Sequence, residues 1–191
     1  MKSDLHPDSD LGIDVRANRR ARRYTRVELV GRVLWSMSHP LFRFSPRVLW
    51  GWRNLMLRAF GARIGRHVRI HPSAEIAIPW NVSIGDLVGI GDRAILYSLG
   101  RITIGNGATI SQGAHLCAGT HDHRHPTLPL LKPPITIEPA VWVCADAFVG
   151  PGVTVGRRAI VGARAVVMRD VQSNAIVAGN PARIVSRRAQ A

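Results

Sequence analysis

A chain of 191 residues with 46% hydrophobic residues is long enough for one domain with a substantial core. Its 26 Lys and Arg against 12 Asp and Glu give a formal charge of +14, but no helix-turn-helix, zinc-finger or RNA-binding signature accompanies that charge, so nucleic acid is set aside as a partner. Two cysteines, Cys117 and Cys144, make no disulfide framework, which agrees with a reducing, cytoplasmic setting.

The charge is concentrated at the start. Residues 1–69 hold 15 Lys or Arg against 5 Asp or Glu, a difference of +10. Residues 1–23 read as a solvated basic arm ending in Arg19-Arg20-Ala21-Arg22-Arg23, without the apolar run of a secretory signal. A helical segment follows over 24–61. Its first helix opens at Thr25, which with Glu28 three residues on makes a capping box. Leu29, Val30, Val33, Leu34 and Met37 supply its apolar face, and His39-Pro40 is expected to stop it. A second helix is expected from a Ser45 cap and Pro46 to Gly61, with Val48, Leu49, Trp52, Leu55, Met56, Ala59 and Phe60 as its apolar face. Arg32, His39 and Arg43 interrupt every apolar window, so neither helix spans a membrane. Two roles stay open: capping the end of the next element, and lying on the anionic inner face of a membrane through Trp35, Trp50, Trp52 and the arginines.

From Ile64 to Val171 an aliphatic residue returns every six positions, as in Ile78, Ile84, Ile90, Leu96 and Ile102, or Val143, Val149, Val155, Val161 and Val167. Four residues after each stands a small or apolar residue, such as Val68, Val88, Ala108 or Ala159. A helix would repeat near 3.6 and an open strand at 2. A period of six fits one short strand plus a turn of a parallel β-helix, three repeats making a triangular coil, so the fold class is an all-β solenoid. A Gly after the aliphatic, as at Gly85, Gly91 and Gly105, suits tight bending at the corners. Slips of two residues between Ile76 and Ile78 and between Ile102 and Ile104 read as small corner insertions. The solenoid domain runs 62–185, with 186–191 as a tail.

After Leu116 the repeat breaks, and a loop over 120–136 is extruded without secondary structure of its own. It begins His121-Asp122-His123-Arg124-His125, with His115 just before it. A three-histidine zinc site of the γ-class carbonic anhydrase kind fails on spacing, and no metal is expected. His123 and His125 read as solvated, and His115 as a wall residue of the repeat.

The repeat, the loop start Gly119-Thr120-His121-Asp122, the segment from Val141-Trp142-Val143-Cys144-Ala145 to Gly156, and the tail Ala178-Gly179-Asn180-Pro181-Ala182-Arg183 together resemble the hexapeptide acyltransferases. The chain is most similar to the WcaF-like, colanic acid biosynthesis branch, near the nodulation, maltose and galactoside O-acetyltransferases. The resemblance implies a left-handed coil, a homotrimer with sites between neighbouring solenoids, and acetyl-CoA as co-substrate. It makes His121 the general base, with Asp122 beside it and Trp142 lining the acceptor cleft. Where galactoside-type enzymes hold the acceptor with an asparagine, this chain has Gly91 with Asp92 next to it. Ala145, Ala163, Met168, Arg169 and Arg183 match the cofactor positions, with Met168 in place of a usual threonine. The implied function is O-acetylation of a saccharide, as a lipid-linked exopolysaccharide precursor. An amino sugar or small hydroxylated metabolite as acceptor, and a non-catalytic scaffold of a polysaccharide complex, remain alternatives.

Overall fold

The computed structural model describes residues 14–21 and 24–189, so the rest of the arm and the last two residues lie outside the described region. Its body is the parallel β-helix that the period predicts. Three parallel faces run along it, each coil contributing one strand to each. Face one stacks Arg63–Ile64, Val82–Ile84, Ile102–Ile104, Ile135–Ile137 and Thr154–Val155. Face two begins with Arg69–Ile70, Gly89–Ile90 and Thr109–Ile110, and face three with Glu75–Ile76, Ile95–Tyr97 and His115–Cys117. Successive coils pair in register, Ile70 to Ile90 and Ile90 to Ile110, a pitch of 20 residues. The inward aliphatics are therefore stacked and buried, from Ile70 through Ile110 to Val161, each burial stabilising by ~1.5–3 kcal/mol.

The glycine after the aliphatic serves a different purpose from the one expected. At Gly91 a Cβ would meet the Gln112 amide nitrogen of the next coil at 2.6 Å, and at Gly105 the Pro139 nitrogen at 2.6 Å. The glycine is needed because stacked corners approach closely. The bend itself falls two residues later, where Leu87, Arg93 and Gly107 adopt positive φ.

The second small insertion also falls elsewhere. Ile102 and Ile104 both point inward from one three-residue strand, so nothing is inserted between them. The extra residues lie in 77–81, 98–101 and 118–134, all on the edge where face three turns into face one. Buried Ser98 ties the first two together, donating to the Ile78 carbonyl at 2.9 Å and accepting from its amide at 2.9 Å.

Three helices precede the coils: α1 (Val15–Arg20), α2 (Arg26–Arg43) and α3 (Trp50–Ala59). The capping box is present, with Glu28 N–H on Thr25 Oγ1 at 3.2 Å and Thr25 N–H on Glu28 Oε2 at 2.7 Å. Pro40 does not stop α2, which carries it inside and ends after Arg43, since Trp35 and Phe42 on one side of it are both packed. Ser45 does not cap α3, which starts at Trp50; Ser45 Oγ instead donates to Phe42 O at 2.7 Å.

The largest departure is which side of α3 is packed. Of the expected apolar face only Met56 is buried, whereas Arg53 and Asn54 are buried against the first coil. The first coil has no coil before it, so its carbonyls need donors, and the helices supply them. Arg53 Nε donates to Ile70 O at 2.8 Å, Asn54 Nδ2 to Val68 O at 2.9 Å, Arg58 to Ile64 O at 2.9 Å and Trp35 Nε1 to Ile76 O at 2.8 Å. The helices do cap the solenoid, with polar side chains. At the other end, Arg183–Arg187 turns back antiparallel onto Ala175–Ala178, so the strand runs into the expected tail.

Candidate active site

The extruded loop leaves the edge between faces three and one. Its ends are not structureless: Thr120–His121 pairs antiparallel with Leu130–Leu131, and the chain rejoins face one at Ile135–Ile137. His121 therefore sits on a short hairpin base. Its exposed ring has Nδ1 2.6 Å from the Leu128 carbonyl oxygen. A carbonyl can only accept, so Nδ1 carries the proton and, in the neutral ring, Nε2 presents a lone pair. That is the tautomer a general base requires.

The loop tip is shaped by its own polar groups. Asp122 N–H donates to Pro129 O at 3.0 Å, and Asp122 Oδ1 accepts from the Arg124 amide at 3.0 Å. His125 Nδ1 lies 2.8 Å from Thr127 Oγ1 and accepts from the Thr127 amide at 3.2 Å, which gives that histidine a structural role.

A second support comes from the segment expected to be a solvated arm. Helix α1, N-capped by Asp14, lies against the loop. The Asp14 amide donates to Pro126 O at 2.9 Å, and Asn18 Nδ2 donates to the carbonyls of Thr127 and Leu128, the latter at 3.0 Å. The Leu128 carbonyl thus accepts from both Asn18 and His121. On the returning limb, the Lys132 ammonium lies 4.5 Å from the Tyr24 ring centroid and the Arg32 guanidinium 4.3 Å from it. Sequence reasoning missed Asn18 because a lone polar residue in a basic arm carries no signal, and Leu128 because its contribution is a backbone oxygen.

Gly91 and Asp92 line a separate cleft of about 570 Å³ on face two and its edge with face three. Its other walls include Arg47, Trp50, Arg69, His71, Ser111 and Gln112. Ser73 Oγ donates to Asp92 Oδ1 and lies 2.6 Å from His71 Nδ1, while Arg93 Nε is 3.4 Å from the same carboxylate. The Ser73 hydrogen bond, with His71 and Arg93 nearby, holds the Asp92 carboxyl below the usual range. Burial pushes His71 down; Asp92 opposes that shift and Arg47, Arg53 and Arg43 reinforce it. The coil pitch of 20 places His71, Gly91 and Ser111 in one column, a signal present in the sequence and not used. Trp142 stands half-exposed on the same face, its Nε1 donating to Ser111 Oγ at 2.9 Å.

Of the cofactor candidates, Met168, Arg169 and Arg183 line one cleft of about 540 Å³ at the C-terminal end, with Pro181 and Ala182. Met168 lies against Gly150, where a Cβ would meet its sulfur at 2.6 Å. Ala145 and Ala163 do not line this cleft; they lie on the edge between faces two and three. One chain thus divides the predicted residues. His121, Asp122, Met168 and Arg169 lie on the edge between faces three and one. Gly91, Asp92, Trp142, Ala145 and Ala163 lie on face two or its far edge, across the width of face three.

His115 is half-buried, edge-on to Phe148 at 5.3 Å and Tyr97 at 6.3 Å, with Nε2 buried and unpartnered, and burial lowers its pKa. Both cysteines are free thiols, and burial pushes Cys144 up, away from reactivity. Among the described residues no three His, Cys, Asp or Glu side chains converge on a metal-binding position.

No protein-family model matches the chain. It is 42% identical over 156 residues to WcaF of Escherichia coli K12, provisionally assigned as a colanic acid biosynthesis acetyltransferase, covering 82% of this chain and 86% of that one. It is 25% identical over 136 residues to the galactoside O-acetyltransferase of the same organism, covering 70% and 67%. Among solved structures, a hexapeptide-repeat acetyltransferase of Vibrio cholerae complexed with acetyl coenzyme A superposes with a TM-score of 0.81 over 88% of this chain and 93% of that one. At 24% identity that likeness carries the fold alone.

Proposed function

Because the chain belongs to the hexapeptide-repeat acetyltransferase family, we propose that it transfers an acetyl group from acetyl-CoA to a saccharide hydroxyl, with His121 as general base. The observation that carries this is the 2.6 Å contact of His121 Nδ1 with the Leu128 carbonyl, which leaves Nε2 free to accept a proton. An alcohol is a weak nucleophile until its proton is taken, and a positioned imidazole is suited to that task near neutral pH. The acceptor oxygen attacks the thioester carbonyl, Nε2 takes the hydroxyl proton, the carbon–sulfur bond breaks, and the imidazolium returns the proton to the thiolate. The balance is one ester formed and one thiol released.

The division of residues between two edges supports a homotrimer. A neighbouring copy packed against the loop edge would bring its own face-two cleft to His121. In that assembly Trp142, Gly91 and Asp92 border the acceptor, and Arg47 and Trp50 extend its wall. The exposed guanidinium groups of Arg169 and Arg183 suit the phosphates of the cofactor, and Met168 the wall of its arm. Asp122 acts through the loop, whose shape it fixes. The similarity to WcaF supports a colanic-acid-like exopolysaccharide precursor as the acceptor, and the basic, Trp-bearing helices suit a lipid-linked one at the inner face of the membrane.

The test is calorimetry with acetyl-CoA, followed by free-thiol release in the presence of a panel of saccharides. Saturable acetyl-CoA binding with acceptor-dependent thiol release is expected. Absence of acetyl-CoA binding overturns the reading.

A further inference from the structure

Amphipathic helices on the end of a domain ordinarily turn their apolar side inward. Here α3 sets Arg53 and Asn54 against the first coil beside buried Met56 and Leu57, and leaves Trp52 and Leu55 exposed. Helix α2 packs through Trp35 and Phe42 and leaves a second stripe uncovered. Val30, Leu34, Met37 and Leu41, at three- and four-residue spacing, are 59%, 53%, 74% and 62% exposed, and Val48 and Trp52 continue the surface. The two parts are joined where Trp52 Nε1 donates to Leu41 O at 3.2 Å. A contiguous apolar surface spread over two helices marks a docking site.

We propose that this surface docks on an anionic phospholipid membrane, the two helices lying in the plane of the interface. Charge selects the occupant. Residues 24–69 contain nine arginines and one glutamate, and Arg26 and Arg43, on α2 with the stripe, are exposed. Apolar side chains flanked by arginine are what an interfacial helix presents to acyl chains and anionic headgroups. A second copy docked face to face fits poorly, because it would press two strongly basic surfaces together. No helix among the described residues is long and apolar enough to cross a membrane, which leaves the interfacial position. The inference stands apart from acetyl transfer, since it rests on neither His121 nor acetyl-CoA.

The test is flotation of the full chain with vesicles of phosphatidylcholine alone and of phosphatidylcholine with phosphatidylglycerol. The wild type is expected to float with the anionic vesicles, to be released by raised salt, and to stay unbound with the neutral ones. The variant Leu34→Glu, Met37→Glu is expected to lose about tenfold or more of the bound fraction while its melting temperature and its acetyl-CoA binding stay unchanged. Quenching of wild-type tryptophan fluorescence by brominated anionic lipid gives a second readout that needs no variant. Failure of the wild type to float or be quenched overturns the proposal, as does undiminished flotation of a folded variant. A change in the variant's oligomeric mass by light scattering would assign the surface to a second copy and overturn it too. If flotation succeeds and acetyl-CoA binding fails, the membrane surface stands and the catalytic reading falls.

Discussion

Replacing His121 separates chemistry from loop support, because the two contributions differ in size. General-base catalysis is worth on the order of 10²–10⁴-fold, or about 2.7–5.4 kcal/mol of barrier at 1.36 kcal/mol per tenfold. The contact of Nδ1 with the Leu128 carbonyl, at 2.6 Å on an exposed ring, is one hydrogen bond. Its net worth is ~0.5–1.5 kcal/mol, which limits a loss through loop disorder alone to roughly tenfold. A drop in kcat well beyond tenfold in His121→Ala therefore has to come from the missing base. His121→Asn sharpens the comparison, since its amide N–H can still donate to Leu128 O while no base remains. Both variants are expected to fall by about 10²–10⁴-fold in kcat, with KM for acetyl-CoA unchanged, when thiol release is followed at saturating cofactor. A variant within tenfold of the wild type, or an Asn variant that retains activity while the Ala variant loses it, would refute the assignment and leave His121 as a loop clasp.

Asn18 is a positioning residue, acting through the Leu128 carbonyl that it shares with His121. Loss of its hydrogen bonds to the Thr127 and Leu128 carbonyls in Asn18→Ala, at ~0.5–1.5 kcal/mol each, is expected to lower kcat by about 5- to 160-fold, with KM for acetyl-CoA unmoved; unchanged kcat would show that α1 merely rests on the loop. His115 bears on stability against pH. Burial lowers its folded pKa below the ordinary value of 6.5, so the unfolded chain binds more protons as pH falls past that value. Its contribution is fully present above pH ~6.5 and declines below it. His115→Phe, which also removes the unpartnered Nε2, is expected to flatten the fall in melting temperature between about pH 6.5 and 5, and an unaltered acid limb would discount the site.

The body of the fold was legible because a six-residue period admits few solutions, and Ile70, Ile90 and Ile110 stack where it puts them. What the period could not say is which corner lengthens. It located the break after Leu116 but read Ile102 and Ile104 as flanking an insertion, when both lie inward on one strand. The three insertions share one edge, and the third carries His121. His121 was singled out by the family resemblance at the loop entrance, whereas its orientation could not be read, because the Leu128 carbonyl and the α1 contact arise only when the loop folds back. The candidate site was divided for the same reason. Residues 30 positions apart in sequence, such as Gly91 and His121, are a coil and a half apart at a pitch of 20, which puts them on different edges of one chain.

The cap shows where hydrophobic patterning misleads. An apolar stripe is ordinarily assigned to the core because burying it is the largest favourable term at hand. At the end of a solenoid a competing demand arises, since every strand of the first coil presents carbonyls that no earlier coil satisfies. Leaving a buried carbonyl without a donor costs ~1–3 kcal/mol, comparable to the gain from burying one Leu. Arg53 donates to Ile70 O of the first coil and to Pro46 O and Arg47 O just ahead of α3, which draws this polar side chain inward beside Met56 and Leu57. With Arg53 and Asn54 taking part of the inner position, Trp52 and Leu55 of the same helix are left facing outward. The exposure of Trp52 and Leu55 thus accompanies capping, and the proposed membrane surface uses the side of α3 that the cap leaves free.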